Sequence, residues 1–241
     1  MNITRAFTLA ALCGCSAPPA QVAVPRTPLP EVKVWGNLRA LMHDGDTGSR
    51  VAIAPLLASP HLYAVGAVAG MRGEITIADG AAWLALGDRD AGRATEDGAT
   101  KDGAALLVAS QVSHWTRVAI TEDIAFADVG RRIEALAAAA GIDVEQPFPF
   151  LVEGRLADVR WHVLTGPSSA AAPHGHADNA VTGERAAIDG TLVGFFSKHH
   201  QGVFTHMGEN VHAHLVSPPA ALAAHADQFS IRASSVLSLP R

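Results

Sequence analysis

Residues 211–217 read Val-His-Ala-His-Leu-Val-Ser, an apolar run that carries two histidines separated by one residue. Alternate side chains of a β-strand point to the same face, so His212 and His214 are expected to lie side by side. The loop that follows contains Pro218-Pro219 and can fold back to bring His225 beside them. Three neutral imidazoles with one open position are typical of a catalytic zinc, whereas structural sites usually close all four positions. The pattern therefore predicts a zinc site.

The spacing alone leaves a second interpretation open. A His-x-His pair in a strand is also typical of two surface histidines, or of two core histidines with satisfied hydrogen bonds. The two cysteines of the chain, Cys13 and Cys15, both lie close to the N-terminus, so the rest of the sequence offers no thiolate ligand. Any metal there must be bound by histidine and carboxylate side chains.

Apolar periodicity in the rest of the chain predicts an α+β fold with two β-rich halves. Residues 31–146 are expected to form a mixed sheet with covering helices, and residues 147–241 an antiparallel, barrel-like sheet that carries the metal site. Short apolar runs bounded by Gly and Asp are typical of strands; they occupy residues 62–69, 74–78, 81–86, 104–111 and 117–121, then 150–156, 158–164, 190–196, 202–205, 211–217 and 228–231.

Helices are predicted over residues 32–42, 51–58 and 124–140, the last with Gly141 as its stop and with one face of the first sheet beneath it. Residues 165–189 are rich in Gly, Ala, Pro and Ser and predict a long loop.

The N-terminus has the pattern of an export signal. Arg5 precedes a short apolar stretch, and Leu12-Cys13-Gly14-Cys15 resembles a bacterial lipoprotein cleavage box, which would make Cys15 the lipid-modified residue. An ordinary secretory signal is the alternative, and both interpretations export the protein. Residues 1–15 are therefore expected to be a signal segment, and the proline-rich residues 16–30 a tether between a membrane anchor and the folded part.

Composition excludes two broad classes of protein. With 241 residues, 49% apolar and 17% charged, the chain has ample material for a core, so intrinsic disorder is excluded. The net charge is −5 and no run of basic residues is present, so nucleic acid is not an expected partner.

Several segments together resemble the α-acetolactate decarboxylase family. Residues 190–196 read Gly-Thr-Leu-Val-Gly-Phe-Phe and precede His212-Ala213-His214 and His225-Ala226-Asp227, like the family's glycine-rich strand, His-x-His strand and third histidine. Residues 66–80 are similar to the family's strand pair around an active-site glutamate, here Glu74. Residues 148–160 are similar to the start of the family's second half. The order of these segments is preserved over roughly residues 32–230.

The resemblance implies a zinc-dependent decarboxylase that converts 2-acetolactate to acetoin and carbon dioxide without an organic cofactor. It implies that zinc is bound by His212, His214 and His225, and that a carboxylic acid gives the product its proton. Glu74 is the first candidate for that acid and Glu209 the second. The family also suggests a homodimer. Without the resemblance, Glu74 is expected to be a solvent-facing strand residue beside a turn.

Departures from the family pattern keep other functions open. The position of the family's active-site arginine holds His162, with Arg160 two residues earlier, and either is a candidate for binding the substrate carboxylate. No carboxylate follows Asp227, whereas the family has a glutamate near its C-terminus. A longer segment before the His-x-His adds His206 and Glu209. The alternatives are a lyase for a related 2-hydroxy-3-oxo acid and an exported, non-catalytic zinc-binding or ligand-sensing lipoprotein.

Overall fold

The computed structural model describes residues 28–87, 94–95, 101–166 and 179–241, which form two antiparallel sheets and two α-helices. The first sheet has the order β1-β7-β3-β4-β5-β6, with β2 also paired to β7. Its strands are β1 (Lys33–Trp35), β2 (Val51–Ala52), β3 (Leu62–Val68), β4 (Gly73–Ala78), β5 (Ala81–Leu86), β6 (Ala94–Thr95) and β7 (Gly103–Gln111). The α+β class with two β-rich parts is thus confirmed.

The expectation of a mixed first sheet is wrong, because every pairing described in it is antiparallel. The connections explain this difference. Only a few residues join β3 to β4 and β4 to β5. A parallel pair needs a crossover of a dozen or more residues, whereas antiparallel neighbours can be joined by a tight turn.

The second sheet is also antiparallel and has the order β10-β11-β12-β9-β13-β8. Its strands are β8 (Trp115–Ala119), β9 (Phe148–Leu164), β10 (Ala180–Phe196), β11 (Val211–Ser217), β12 (Leu222–Ile231) and β13 (Val236–Pro240). Because β10 pairs with β9 as well as with β11, the pairings among β9, β10, β11 and β12 follow a ring. β8, which the sequence analysis placed in the first half, pairs with β13 in this second sheet.

Two of the three predicted helices are shorter than expected, and the third is replaced by other structure. Helix α1 spans Leu38–His43, and the residues before it form β1. Residues 51–58 contain β2 and a short 3-10 turn. Helix α2 spans Val129–Ala139, and its buried side chains join the core of the second sheet, not the first. The helical period predicted an apolar face on α2 correctly but did not identify the sheet that it covers.

The predicted loop over residues 165–189 is partly strand. β10 begins at Ala180 and pairs with β9 along its whole length. The first residues of β10 are mostly half-exposed or exposed, so pairing with a long partner, and not an apolar pattern, keeps them extended. Residues 167–178 lie outside the described residues. Residues 202–205 do not form the predicted strand, and β13 was not predicted.

A shared apolar cluster holds the two sheets face to face. It joins side chains of β3 and β7 to side chains of β9, β10 and the loop after β10: Tyr63, Val65, Val108, Leu151, Val193, Phe195 and Phe204. As a result, β4 of the first sheet lies against β9, β11 and β12 of the second. This contact brings residues that are distant in sequence to one site.

The predicted signal segment and most of the predicted tether fall in residues 1–27, outside the described part of the chain. Within the part that is described, no helix has the length and apolar character needed to cross a bilayer.

Replacement of Gly194 by alanine should destabilise the second sheet. A Cβ atom at this position of β10 would lie 2.2 Å from Cζ of Phe150, which is fully buried. Overpacking of this kind costs about 1–3 kcal/mol, so we expect urea denaturation to give a lower free energy of unfolding for Gly194→Ala. The control is Gly48→Ala, where a Cβ atom meets nothing within 4 Å. Equal stability of the two variants would contradict the close approach.

Candidate metal centre

Strand pairing brings the three predicted metal ligands together. His214 on β11 and His225 on β12 are direct cross-strand partners, and His212 lies two residues before His214 on the same strand. One ring nitrogen from each of the three lies within 4.8 Å of the others. The ring centroids are 5.1 Å apart for His212 and His214, 5.1 Å for His212 and His225, and 5.2 Å for His214 and His225. Imidazoles in this arrangement can share one ion.

The hydrogen bonding of these rings fits a metal ion. Nδ1 of His212 and Nε2 of His214 are buried, and no residue in the described part of the chain forms a hydrogen bond with either atom. A buried polar atom left in that state is costly. Nδ1 of His214 lies 3.1 Å from Oγ1 of Thr76, which orients the ring and leaves Nε2 for an ion. The three residues therefore form a group that can hold a metal.

Burial also keeps the three rings in the form that binds metals. Burial lowers the pKa of His212 to about 3. It also lowers the pKa of His214 and that of His225 well below the usual value for histidine, and the neighbouring imidazoles add to the effect. A neutral imidazole has a free lone pair, so protons do not compete with a metal ion at neutral pH.

Glu74 reaches this cluster from the first sheet. Its side chain on β4 is buried, not solvent-facing as the isolated strand pattern suggested. Oε2 lies 3.7 Å from Nε2 of His214, and Oε1 lies 3.6 Å from Nε2 of His162. Oε1 also accepts a hydrogen bond from the backbone N–H of Leu164 at 3.3 Å. Burial raises the pKa of the Glu74 carboxyl to about 7, against smaller lowering effects of His162 and Leu164.

His162 on β9 is fixed beside Glu74 by Asp227. Nδ1 of His162 lies 2.7 Å from Oδ1 of Asp227, and the two rings of His162 and His225 are 4.6 Å apart. Burial acts to lower the pKa of His162, but the hydrogen bond to Asp227 and the charges of Glu74 and Asp227 together raise it. A second group of potential ligand atoms, from His162, His225 and Asp227, shares His225 with the first and belongs to the same site.

The site opens into a small space that we call the inner cavity, with an empty volume of about 370 Å³ that includes its opening to solvent. Its apolar wall includes Leu38, Leu41 and Met42 of helix α1 together with Leu106. Its polar lining consists of Glu74, His162, His206, His212 and His225. Among the described residues that line it, Glu74 is the one carboxyl group, and none is Lys or Arg.

The apolar wall and the loop before β11 are joined through the backbone. The N–H of Leu38 donates to the carbonyl of Val203 at 2.8 Å, and the N–H of Arg39 donates to the carbonyl of Gly202 at 2.9 Å. The same loop carries His206, whose ring centroid lies 5.6 Å from that of His225. His206, which the longer segment before the His-x-His adds, is half-buried and lines the inner cavity.

Two predicted site residues lie away from the inner cavity. Arg160 is exposed and lines a separate surface pocket with Glu184 and Arg185. Its pairing partner on β12, Gln228, lies beyond a register shift in that strand and lines the same surface pocket. Glu209 is exposed and lines a neighbouring pocket. Of the four predicted catalytic residues, Glu74 and His162 thus lie beside the three-histidine cluster, and both line the inner cavity with His212 and His225.

Sequence reasoning assigned no role to Thr76 or Asp227, which orient His214 and His162. A signal for both was present in the sequence. Thr76 lies two residues after Glu74, and Asp227 lies two residues after His225, so strand alternation favours the same face in each pair. Hydrogen-bonding residues next to a ligand or a buried acid are the expected support for a metal site.

Comparison with known proteins agrees with the fold. A family model described as alpha-acetolactate decarboxylase matches residues 37–238. The structure of α-acetolactate decarboxylase from Bacillus subtilis strain 168 superimposes with a TM-score of 0.70 at 14% identity, over 87% of this chain and 86% of that one. A Staphylococcus aureus protein of unknown function, described as similar to the same enzyme, gives 0.68 at 17% identity, over 87% and 84%.

At such low identity these structures show a shared fold and nothing finer. A search of curated proteins gives no significant match. The family model, in contrast, spans most of the sequence, including Glu74 and all three histidines of the cluster. This chain therefore belongs to the α-acetolactate decarboxylase family.

Proposed function

We propose that this protein is a zinc-dependent decarboxylase that converts 2-acetolactate to acetoin and carbon dioxide. The observation that carries the proposal is the position of Glu74, a buried carboxyl group 3.7 Å from one imidazole of the three-histidine cluster and 3.6 Å from His162. An acid, two of the three proposed metal ligands and a further imidazole thus line one cavity. This combination can stabilise the charge that develops when a 3-oxo acid loses carbon dioxide and can then supply a proton.

The reaction breaks the bond between C1 and C2 of the substrate and leaves the electron pair delocalised onto the C3 oxygen. A zinc ion bound by His212, His214 and His225 would supply a Lewis acid for that developing charge. Glu74, the carboxyl group that lines the cavity, then donates a proton to C2 and completes acetoin. The Leu164 N–H holds this carboxyl in place. The apolar wall of α1 excludes water, which strengthens every charge interaction inside.

His162 is the candidate for binding the substrate carboxylate. Its ring faces Glu74 through Nε2 and is held by Asp227 through Nδ1. No arginine or lysine lines the inner cavity among the described residues. A cationic imidazole has less reach and fewer donors than the guanidinium it replaces in the family pattern. This substitution favours a second candidate function, a lyase for a related 2-hydroxy-3-oxo acid.

The location of the reaction is a separate proposal. The sequence before residue 28 has the features of a lipoprotein signal, with Cys15 as the residue that would receive the lipid. We place the enzyme outside the cytoplasm on a membrane tether, where it would act on substrate released from cells.

Replacement of His214 by alanine should remove both metal and turnover. The wild-type protein purified with zinc should contain about one zinc ion per chain and release acetoin from 2-acetolactate. Loss of a ligand should weaken zinc binding by at least about a hundredfold, since even loss of a supporting hydrogen bond costs 10- to 100-fold. Metal analysis and an acetoin assay measure the two effects.

The matched control is His199→Ala, because His199 is an exposed histidine whose ring contacts Glu145 on the surface. It should keep both zinc and activity. Bound zinc that depends on His214, with no turnover of 2-acetolactate or of any related 2-hydroxy-3-oxo acid, would instead support the exported, non-catalytic zinc-binding protein.

Glu74→Gln should separate chemistry from metal binding. Glutamine keeps the size of the side chain and an oxygen for the Leu164 N–H, but it cannot donate the proton. We expect zinc content to stay near wild type while kcat falls by about 10²- to 10⁴-fold. Glu209→Gln is the comparison, because Glu209 lies outside the inner cavity. Loss of activity in Glu209→Gln with retention in Glu74→Gln would reverse the assignment of the proton donor.

Replacement of Cys15 by serine tests the proposed membrane location, because Cys15 is the one residue that would receive the lipid. In bacteria grown with a radioactive fatty acid, the wild-type chain should become labelled and sediment with membranes. Cys15→Ser should abolish the label. Equal labelling of both chains, or none in the wild type, would be incompatible with a lipid anchor at Cys15.

A further inference from the structure

His225 lies in the middle of a row of three histidines that crosses three strands. Its direct cross-strand partner is His214 of β11 on one side and His162 of β9 on the other. All three side chains are buried. The central imidazole therefore has potential metal ligands on both sides, and the three-histidine cluster uses those of β11.

The β9 side of His225 has a set of three ligand groups of its own. One ring nitrogen from each of His162 and His225 and one carboxylate oxygen of Asp227 lie within 4.8 Å of one another. Oδ1 of Asp227 is 2.7 Å from Nδ1 of His162 and 3.9 Å from Nε2 of His225. Ligand atoms that share one zinc ion at about 2.0–2.2 Å are separated by at most about 4 Å, so small movements of these side chains are enough.

A strand irregularity brings Asp227 to this position. The register between β12 and β9 shifts between Ala226 and Gln228, so Asp227 is an extra residue at that point of β12. Its side chain is 41% exposed, whereas that of His162 is 11% exposed. The carboxylate is thus accessible to an ion from solvent, and both imidazoles are within reach of an ion that it holds.

The ligand types suit a zinc ion with an open coordination position. Two imidazoles and one carboxylate form one of the three-ligand sets that bind zinc in proteins, with solvent at the fourth position. This set and the three-histidine cluster are the two groups of three close ligand atoms found among the described residues. A surface pair, His61 and Asp79, makes a similar contact at 2.9 Å but belongs to no such group.

We propose that His162, His225 and Asp227 bind a second divalent cation within the metal centre, and that this ion supplies positive charge beside the inner cavity. The second position lies on the β9 side of His225, and the first lies on the β11 side. The two positions share His225, and an imidazole has two ring nitrogens that can bind separate ions.

The second ion changes the electrostatics of the inner cavity through His162. It takes the place of the proton shared between Asp227 and Nδ1 of His162, so this group becomes more positive. A metal ion on Nδ1 leaves the ring proton on Nε2, the atom that faces Glu74. No Lys or Arg lines the inner cavity among the described residues, so an anionic substrate gains attraction from the added charge. This effect on the substrate rests on the proposed function, whereas binding of the second ion does not.

Titration of the full chain with zinc chloride tests the second position. The protein is first loaded with about one zinc ion per chain, and calorimetry then records the binding of further zinc. We expect one more ion per chain, bound more weakly than the first. Asp227→Asn removes the negative charge and keeps the size of the side chain. It should weaken the second ion at least about tenfold and leave the first in place, since even loss of a supporting hydrogen bond costs 10- to 100-fold.

Asp79→Asn is the matched control, because Asp79 makes a similar contact with the exposed His61. It should leave the affinities of both ions unchanged. His162→Gln provides a second variant should Asp227→Asn fail to fold, and it should also remove the second ion alone. Anomalous diffraction from zinc-soaked crystals of the wild-type protein should show the second ion between His162, His225 and Asp227.

Three results would overturn the second position. The first is no binding beyond the first zinc ion. The second is further zinc that binds equally well to the wild type, Asp227→Asn and His162→Gln, which would assign that zinc to surface histidines. The third is loss of the first ion together with the second in both variants, which would show that these residues serve a single ion position.

Kinetics separate this inference from the decarboxylase. Filling the second position should lower KM for 2-acetolactate about three- to tenfold, as expected for one added charge near the substrate. Turnover at one zinc ion per chain without a second ion would overturn the second position and leave the decarboxylase intact. A second ion that depends on Asp227, without turnover of any 2-hydroxy-3-oxo acid, would do the reverse. Binding of the second ion with an unchanged KM would overturn its effect on the substrate.

Discussion

The carboxyl group of Glu74 is buried between two imidazoles that belong to the opposite sheet, and the rest of the site depends on this placement. A buried carboxyl is tolerated only where hydrogen bonds or charges replace water. Here those partners are the Leu164 N–H and the rings of His162 and His214, all on the second sheet. Thr76, two residues further along β4, makes a second polar contact across the same boundary. Neither sheet alone contains the site, so its assembly requires the apolar cluster between them.

Strand alternation explains how much of this could be predicted from the sequence. The bounds of β11 and the shared face of His212 and His214 followed from an apolar run with period two, and β11 has the predicted bounds. Glu74 could be recognised through family resemblance but not through its own surroundings, because a lone glutamate beside a turn is typical of the surface. Its burial depends on the docking of two sheets, a long-range property that no local pattern contains.

The elements that were predicted wrongly also depend on contacts between residues that are distant in sequence. Helix α2 has an apolar face, yet its period does not say which sheet that face meets. β10 keeps polar residues extended because β9 pairs with them, although their own composition is typical of a loop. Arg160 was expected beside His162, but it is exposed and lines a separate surface pocket. Asp227 is an extra residue in β12 opposite this stretch of β9, and its carboxylate reaches His162.

The two backbone hydrogen bonds from the first residues of α1 to Gly202 and Val203 have a mechanical consequence. Helix α1 supplies the apolar wall of the inner cavity, and the segment to which it is hydrogen-bonded leads to His206. A displacement of that segment must either break both hydrogen bonds or move helix α1 with it. The position of His206 in the inner cavity is thereby coupled to the position of α1.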